Sequence, residues 1–134
     1  MDIRIYYEDT DAGGVVYHAN YLKYFERART EYLREGGISV SSLAAAGFIF
    51  PVVRMEIDFK APGRHDDLIS ISTMPESVGG ASFTLRQQAL RAADNKLLVD
   101  AVVTLACVNT ALKAKRIPDA VRHLLEAAVP MPKH

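Results

Sequence analysis

Three carboxylates, a histidine and two adjacent glycines fall within one short run, Glu8-Asp9-Thr10-Asp11-Ala12-Gly13-Gly14-Val15-Val16-Tyr17-His18-Ala19-Asn20-Tyr21. A carboxylate held against an acyl carbonyl either attacks it or takes a proton from a water that does, and nearby N–H groups steady the oxyanion that forms. Gly13-Gly14 opens backbone conformations closed to other residues, so the loop carrying Asp11 is able to fold back over its neighbours. That loop runs directly into an amphipathic segment. Tyr21, Phe25, Ala28 and Tyr32 recur at i, i+4, i+7 and i+11, flanked by Leu22 and Leu33, while Lys23, Arg27, Glu31, Arg34 and Glu35 face elsewhere, which is the pattern of a helix with one apolar stripe. Arg27 and Glu31, and Glu31 and Arg34, are opposite charges at helical spacing, and Gly36-Gly37 supplies a stop. The spacing predicts a helix from Ala19 or Asn20 to Glu35, about 24 Å long at 1.5 Å per residue. Its first N–H groups have no helical partner and carry partial positive charge. A carboxylate and an anion-binding helix end therefore share one loop.

Each of these residues also has a structural reading. Asp11 serves as nucleophile or base, or it caps the turn or the helix. His18 orients or polarises the reacting groups, or it is a hydrogen-bonded structural residue, while the backbone around Gly14, Tyr17 and His18 offers oxyanion donors. Glu8 and Asp9 read as solvated or bonded within the loop. A metal site does not fit: in an EF-hand register Gly13 would take position five and Asn20 position twelve, where Glu is required, and no zinc spacing occurs. Ser82 follows Gly79-Gly80-Ala81 without a G-x-S-x-G elbow, which gives a serine hydrolase no support but leaves Ser82 as a substrate contact from a neighbouring strand. Cys107 in an apolar strand reads as an inert buried residue. No phosphate-cradling glycine loop is present, and no cofactor or metal is expected.

The elements that must position these groups follow from the rest of the chain. Its 134 residues, 49% hydrophobic and 24% charged, are expected to form one domain over residues 1–134 with a single core. Sixteen basic residues balance sixteen acidic ones, which disfavours nucleic acid or an anionic membrane as partner. Neither a signal peptide nor a membrane span is apparent, and the lone cysteine fits a reducing compartment, so the expected location is cytoplasmic. Ile3 to Tyr7 reads as a first strand, and Ser42 to Ala46 as one helical turn after the long helix. Val53, Met55, Ile57 and Phe59 alternate with Arg54, Glu56, Asp58 and Lys60, a strand with one buried face. After a turn at Pro62-Gly63 come strands at Leu68 to Val78, Phe83 to Arg91 and Leu97 to Asn109, separated by Gly79-Gly80 and by Ala93-Asp94-Asn95-Lys96. The last, apolar on both sides, should lie centrally. Pro118 opens a short helix through about Ala127, and Pro130 and Pro132 end regular structure. One strand, one helix and a meander of about four strands make an α+β fold, an antiparallel sheet wrapped around a long helix. One sheet face and an edge stay uncovered, so self-association is expected.

The run from Tyr6 to Tyr21, continuing through Phe25-Glu26-Arg27-Ala28-Arg29-Thr30-Glu31, closely resembles the hotdog-fold acyl-CoA thioesterases. It looks most like their Tol-Pal-associated subgroup, relatives of 4-hydroxybenzoyl-CoA thioesterase. The resemblance implies a hotdog fold of about five strands, a dimer that continues the sheet across subunits, and active sites at that interface. It implies that Asp11, second aspartate of Asp9-Thr10-Asp11, is the essential carboxylate, that a backbone amide near His18 binds the oxyanion, and that coenzyme A belongs to the substrate. Lys60 and Arg64 beside His65, and Lys113 and Arg116 beside Lys115, are either solvated surface or cations for the coenzyme A phosphates. The expected activity is hydrolysis of an acyl-CoA thioester by a homodimer or homotetramer, with acyl carrier protein as a further partner. A non-catalytic module that binds acyl-CoA or acyl carrier protein or bridges envelope partners, and a hotdog dehydratase, are the alternatives.

Overall fold

The computed structural model describes residues 1–130. Strand β1 (Asp2–Arg4) leads through a 3-10 turn at Tyr7–Asp9 and the glycine loop into α1 (Asn20–Glu35), followed by a short α2 (Val40–Ala45). Then come β2 (Val52–Phe59), β3 (Leu68–Val78), β4 (Ser82–Arg91), β5 (Lys96–Ala106) and α3 (Asp119–Ala128). The five strands form one sheet in the order β1-β3-β4-β5-β2, every pairing antiparallel. This is the α+β arrangement expected, with α1 lying on the concave face.

Three details differ from the sequence reading. β1 stops at Arg4 because the Tyr6 N–H donates to Asp9 Oδ2 at 2.9 Å and the chain coils into the 3-10 turn. Only β3, β4 and β5 form a meander: β2 lies beyond β5, and the chain from Lys60 to Asp67 crosses the end of the sheet, its N–H groups at Lys60 and Ala61 donating to the Leu98 carbonyl. The middle strand is therefore β4, while β5 is interior, with β4 on one side and β2 on the other. β2 is an edge, and the face expected to be buried is only partly so: Met55 and Ile57 are half-buried, whereas Val53 is 60% and Phe59 50% exposed. Pro130 follows the end of α3, and Pro132 lies outside the described residues.

α1 buries Tyr21, Tyr24, Phe25 and Ala28 in one core with Ile69, Ile71, Leu85 and Val103, and buries Leu33 near its end. Tyr24 thus widens the predicted stripe, and Leu22 faces outward at 44% exposure. Each large apolar side chain so buried contributes about 1.5–3 kcal/mol. A polar pin joins helix and sheet at the middle of this contact. The fully buried Gln87 donates through Nε2 to the Phe25 carbonyl and to Thr73 Oγ1, both at 3.0 Å, and its Oε1 accepts from Arg29 Nη1 at 3.0 Å. Burial leaves such an amide little alternative, so its satisfaction fixes the helix in place along the sheet. On the opposite face Arg86 donates to Glu76 at 2.7 Å and to both oxygens of Asp100 at 2.9 Å; among the described residues no helix covers this face.

Candidate active site

The segment from Asp9 to Tyr17 closes on itself as a miniature hairpin. The Tyr17 N–H donates to the Asp9 carbonyl at 2.9 Å, the Asp11 N–H to the Val15 carbonyl at 2.9 Å, and the Gly14 N–H to the Asp11 carbonyl at 3.0 Å. Gly14 sits at φ 77°, the left-handed conformation that the turn demands and that glycine adopts without cost. Asp11 opens this turn, and its Oδ1 accepts the Gly13 N–H at 2.8 Å. The turn-capping arrangement is thus present, and it occupies one carboxylate oxygen while orienting the other.

Two contacts fix the hairpin on the fold. On one side the Val16 N–H donates to the Gly63 carbonyl at 2.8 Å and Val15 bridges to Arg64. Gly63 permits this approach: a Cβ there would lie 2.7 Å from Tyr21 Oη and 3.0 Å from Ile69 Cδ1. On the other side Asn20 Nδ2 donates to the Asp9 carbonyl at 2.9 Å and the Asn20 N–H to the Tyr17 carbonyl at 2.9 Å, which ties the hairpin to the first residue of α1.

The free donors sit just ahead of the first residue of α1. The N–H groups of Asn20, Tyr21 and Leu22 donate to the carbonyls of Tyr17, His18 and Ala19 in tight 3-10 fashion, and those of Gly14 and Tyr17 are spent inside the hairpin. Among the described residues, the N–H groups of His18 and Ala19 donate to nothing. The His18 ring packs between Tyr17, with centroids 4.7 Å apart, and the edge-on Phe59 at 6.1 Å. An open cleft of about 330 Å³ is lined by Asp11, Val16, His18, Phe59, Lys60 and Pro62. It brings together the carboxylate, the residue with the free amide, and a cation.

Behind the hairpin, Tyr21 and Tyr24 bury their hydroxyl groups, which lie near the Gly63 backbone and the Asp9 carboxylate respectively, without hydrogen-bond geometry to either. Burial above all pushes the Tyr21 phenol up to about 12, and burial followed by the Asp9 carboxylate raises that of Tyr24 further still. Both stay neutral, a dry wall behind the site.

The remaining candidate residues lie elsewhere. Arg64 is exposed beside the hairpin, its N–H donating to Asp67 Oδ2 at 2.9 Å. Ser82 pairs with Ala106, whereas Phe59 at the cleft pairs with Val99; seven residues of β5 at about 3.4 Å each separate them by about 24 Å. Lys113 and Arg116 belong to that far end, where the Lys113 carbonyl accepts the Asn109 N–H and the Lys115 N–H donates to the Cys107 carbonyl. The Cys107 thiol is buried, which raises its pKa, and it faces the Arg116 carbonyl at 3.9 Å; nothing there activates it. At the same end a cavity of about 200 Å³ between α1, α2 and the sheet is walled by Arg29, Val40, Phe48, Phe83, Leu85 and Leu125. Among the described residues no three His, Cys, Asp or Glu side chains converge as metal ligands, and no helix is long and apolar enough to cross a membrane.

Asp9 is bonded within the loop, accepting the Tyr6 N–H on Oδ2 at 2.9 Å, whereas Asn20 and Gly63 are parts of the site that the sequence reading did not single out. Asn20 carried a usable signal, an amide side chain at a helix start. Gly63 read only as half of a turn, because its true constraint is the tertiary approach of Val16 and Tyr21.

Comparison with known proteins adds an independent line. Residues 6–125 match the family described as the thioesterase-like superfamily. The chain is 42% identical over 120 residues, 89% of each sequence, to the acyl-CoA thioester hydrolase YbgC of Escherichia coli O6:H1. It is 44% identical over 108 residues to the acyl-CoA thioesterase YbgC of Haemophilus influenzae, covering 80% of this chain and 78% of that one. Among solved structures, a probable thioesterase from Bartonella henselae superposes with a TM-score of 0.82 at 40% identity, over 88% of this chain and 97% of the other.

Proposed function

Since the chain belongs to the thioesterase-like superfamily, we propose that it is an acyl-CoA thioester hydrolase, releasing a free acid and coenzyme A. The observation that carries the reading is one cleft lined by both Asp11 and His18, whose N–H has no partner among the described residues. The thioester carbonyl oxygen rests on the His18 amide, with that of Ala19 next to it, and the charge that develops there meets a donor already in position. Asp11 Oδ2, the oxygen not held by Gly13, attacks the carbonyl carbon, or it takes the proton of a water that attacks. In the first route the carbon–sulfur bond breaks to leave a mixed anhydride that water then cleaves. In the second the tetrahedral adduct collapses directly. Either way the thiolate departs with the bonding pair, and as a good leaving group it needs little acid assistance.

The finer reading follows the same residues. Antiparallel pairing of two β2 edges would bring the Ser82 end of one copy toward the Asp11 end of the other, so that Ser82, Lys113 and Arg116 complete a cleft that Lys60 already lines, with Arg64 beside it. This supports a homodimer, or a homotetramer built from two. The glycine loop's likeness supports the Tol-Pal-associated subgroup, with acyl carrier protein as a second thioester carrier, and the lone cysteine fits a cytoplasmic setting.

A thiol-trapping assay over a panel of short, long and aromatic acyl-CoA thioesters tests the activity. Turnover of at least one class is expected; binding of acyl-CoA with no thiol released from any would make the protein a binding module instead.

A further inference from the structure

One feature beside the cleft has no role in bond cleavage. The rings of Tyr7 and His65 stack almost parallel, with centroids 3.8 Å apart and planes 11° from one another. Both residues are exposed, Tyr7 to 77%. The backbone on both sides holds the pair in place. His65 stands at the apex of a turn closed by the Asp67 N–H on the Arg64 carbonyl at 3.1 Å, with Asp66 left-handed at φ 72°. That turn is tied to the end of β1 by the Asp66 N–H on the Ile5 carbonyl at 2.8 Å, by the Ile5 N–H on the Asp67 carbonyl at 2.9 Å, and by Arg4 Nη1 on the Asp66 carbonyl at 2.8 Å. Tyr7 is held in turn by its carbonyl, which accepts the Thr10 N–H at 3.0 Å and the Thr10 hydroxyl at 2.8 Å. The platform is therefore preorganised, which removes most of the ordering cost of stacking a further ring on it.

Its position ties it to the cleft. Phe59, Lys60, Ala61 and Pro62 form one wall of the cleft, and the next residues are Gly63, Arg64 and His65, with Arg64 bridged to Val15 of the hairpin. Along the chain from this wall, Lys60 is followed by the exposed Arg64 and then by His65 of the stacked pair. Two cations followed by a flat aromatic surface match a chain of phosphates ending in a heteroaromatic base, since phosphate oxygens take charge-assisted bonds and any base presents a π face.

We infer that the Tyr7–His65 pair is the stacking platform for the adenine ring of the coenzyme A leaving group, with Arg64 and Lys60 beside it for the phosphates. The inference rests on the acyl-CoA reading above, and its test separates the two. Hydrolysis is measured for one acyl group carried on coenzyme A and on pantetheine, which lacks the nucleotide, in wild type, Tyr7→Ala, His65→Ala and Tyr7→Phe. Wild type should prefer the coenzyme A ester in kcat/KM; Tyr7→Ala and His65→Ala should reduce that preference about tenfold, the effect of one base stack. Tyr7→Phe should retain it, and turnover of the pantetheine ester should not change in any variant. Equal use of both carriers by wild type, or a preference untouched by Tyr7→Ala and His65→Ala, overturns the platform while leaving the thioesterase reading intact. If no ester is hydrolysed, that reading fails, and calorimetry with free coenzyme A decides the platform: binding weakened about tenfold in Tyr7→Ala upholds it, and binding that is absent or unaltered overturns it.

Discussion

The two ends of the sheet are built differently. At the Phe59 end, the hairpin with Asp11 is exposed and is held almost entirely by backbone hydrogen bonds, to Gly63 on one side and to the start of α1 on the other. At the Ser82 end, α3 closes over the fold with side chains: Val121 and Leu125 are fully buried, and Arg122 Nη2 donates to the carbonyls of Gly79 and Gly80 at 2.8 and 3.2 Å. One end holds its loop through the backbone, and the other is closed by side chains. Chemistry is thus expected to be sensitive, and stability insensitive, to side-chain changes at the first end.

Asp11→Asn gives the sharpest break. The amide oxygen still accepts the Gly13 N–H, so thermal unfolding should stay at the wild-type temperature while thiol release falls by at least about a hundredfold. Near-normal turnover would remove Asp11 from the mechanism.

Mixing sharpens the comparison further. If the two ends meet across a dimer, Asp11→Asn and a Lys113→Ala/Arg116→Ala variant, each impaired alone, should recover about a quarter of wild-type activity after unfolding and refolding together, because half the random dimers carry one intact site. No recovery would mean that each chain works alone.

Gly63→Ala blurs the distinction, since a backbone-held element should be the one that a single Cβ disturbs. The added atom presses on Tyr21 Oη and Ile69, a crowding that should cost about 1–3 kcal/mol. Denaturant titration should show that loss together with reduced turnover; an unchanged midpoint would mean that the loop relaxes freely.

The smallest effect is alkaline. Burial raises the Tyr21 phenol to about 12, above its value near 10 in the unfolded chain, so folding favours the neutral form. The associated stability is complete below pH 10 and is lost as pH climbs from there through about 12. Tyr21→Phe should leave stability at pH 7 nearly unchanged and flatten part of the alkaline decline, the remainder coming from Tyr24. Parallel stability curves for variant and wild type above pH 10 would show that the Tyr21 hydroxyl is solvated instead.

Local pattern made much of this legible. The apolar stripe gave α1 its end at Glu35, and Leu68–Val78 is bounded as predicted because glycines and Pro62 punctuate the chain on either side. Asp11 and His18 stood out because a glycine turn beside a helix start is a local signal. The order of strands was hidden: nothing in the alternation of Val53 to Lys60 tells β2 to pair with β5 rather than with β3. Gln87 was hidden too, since one glutamine in a strand does not announce that Phe25, Thr73 and Arg29 will gather around it. Of the three oxyanion donors read from the sequence, Gly14 and Tyr17 spend their N–H groups inside the hairpin and His18 does not, a choice that periodicity does not encode.

The unequal margins of the sheet carry one last consequence. β2 presents an outer border eight residues long, while β1, at the opposite margin, is only three residues long. A copy recruited along β2 fills that border along its whole length, so a third copy has no place to add there.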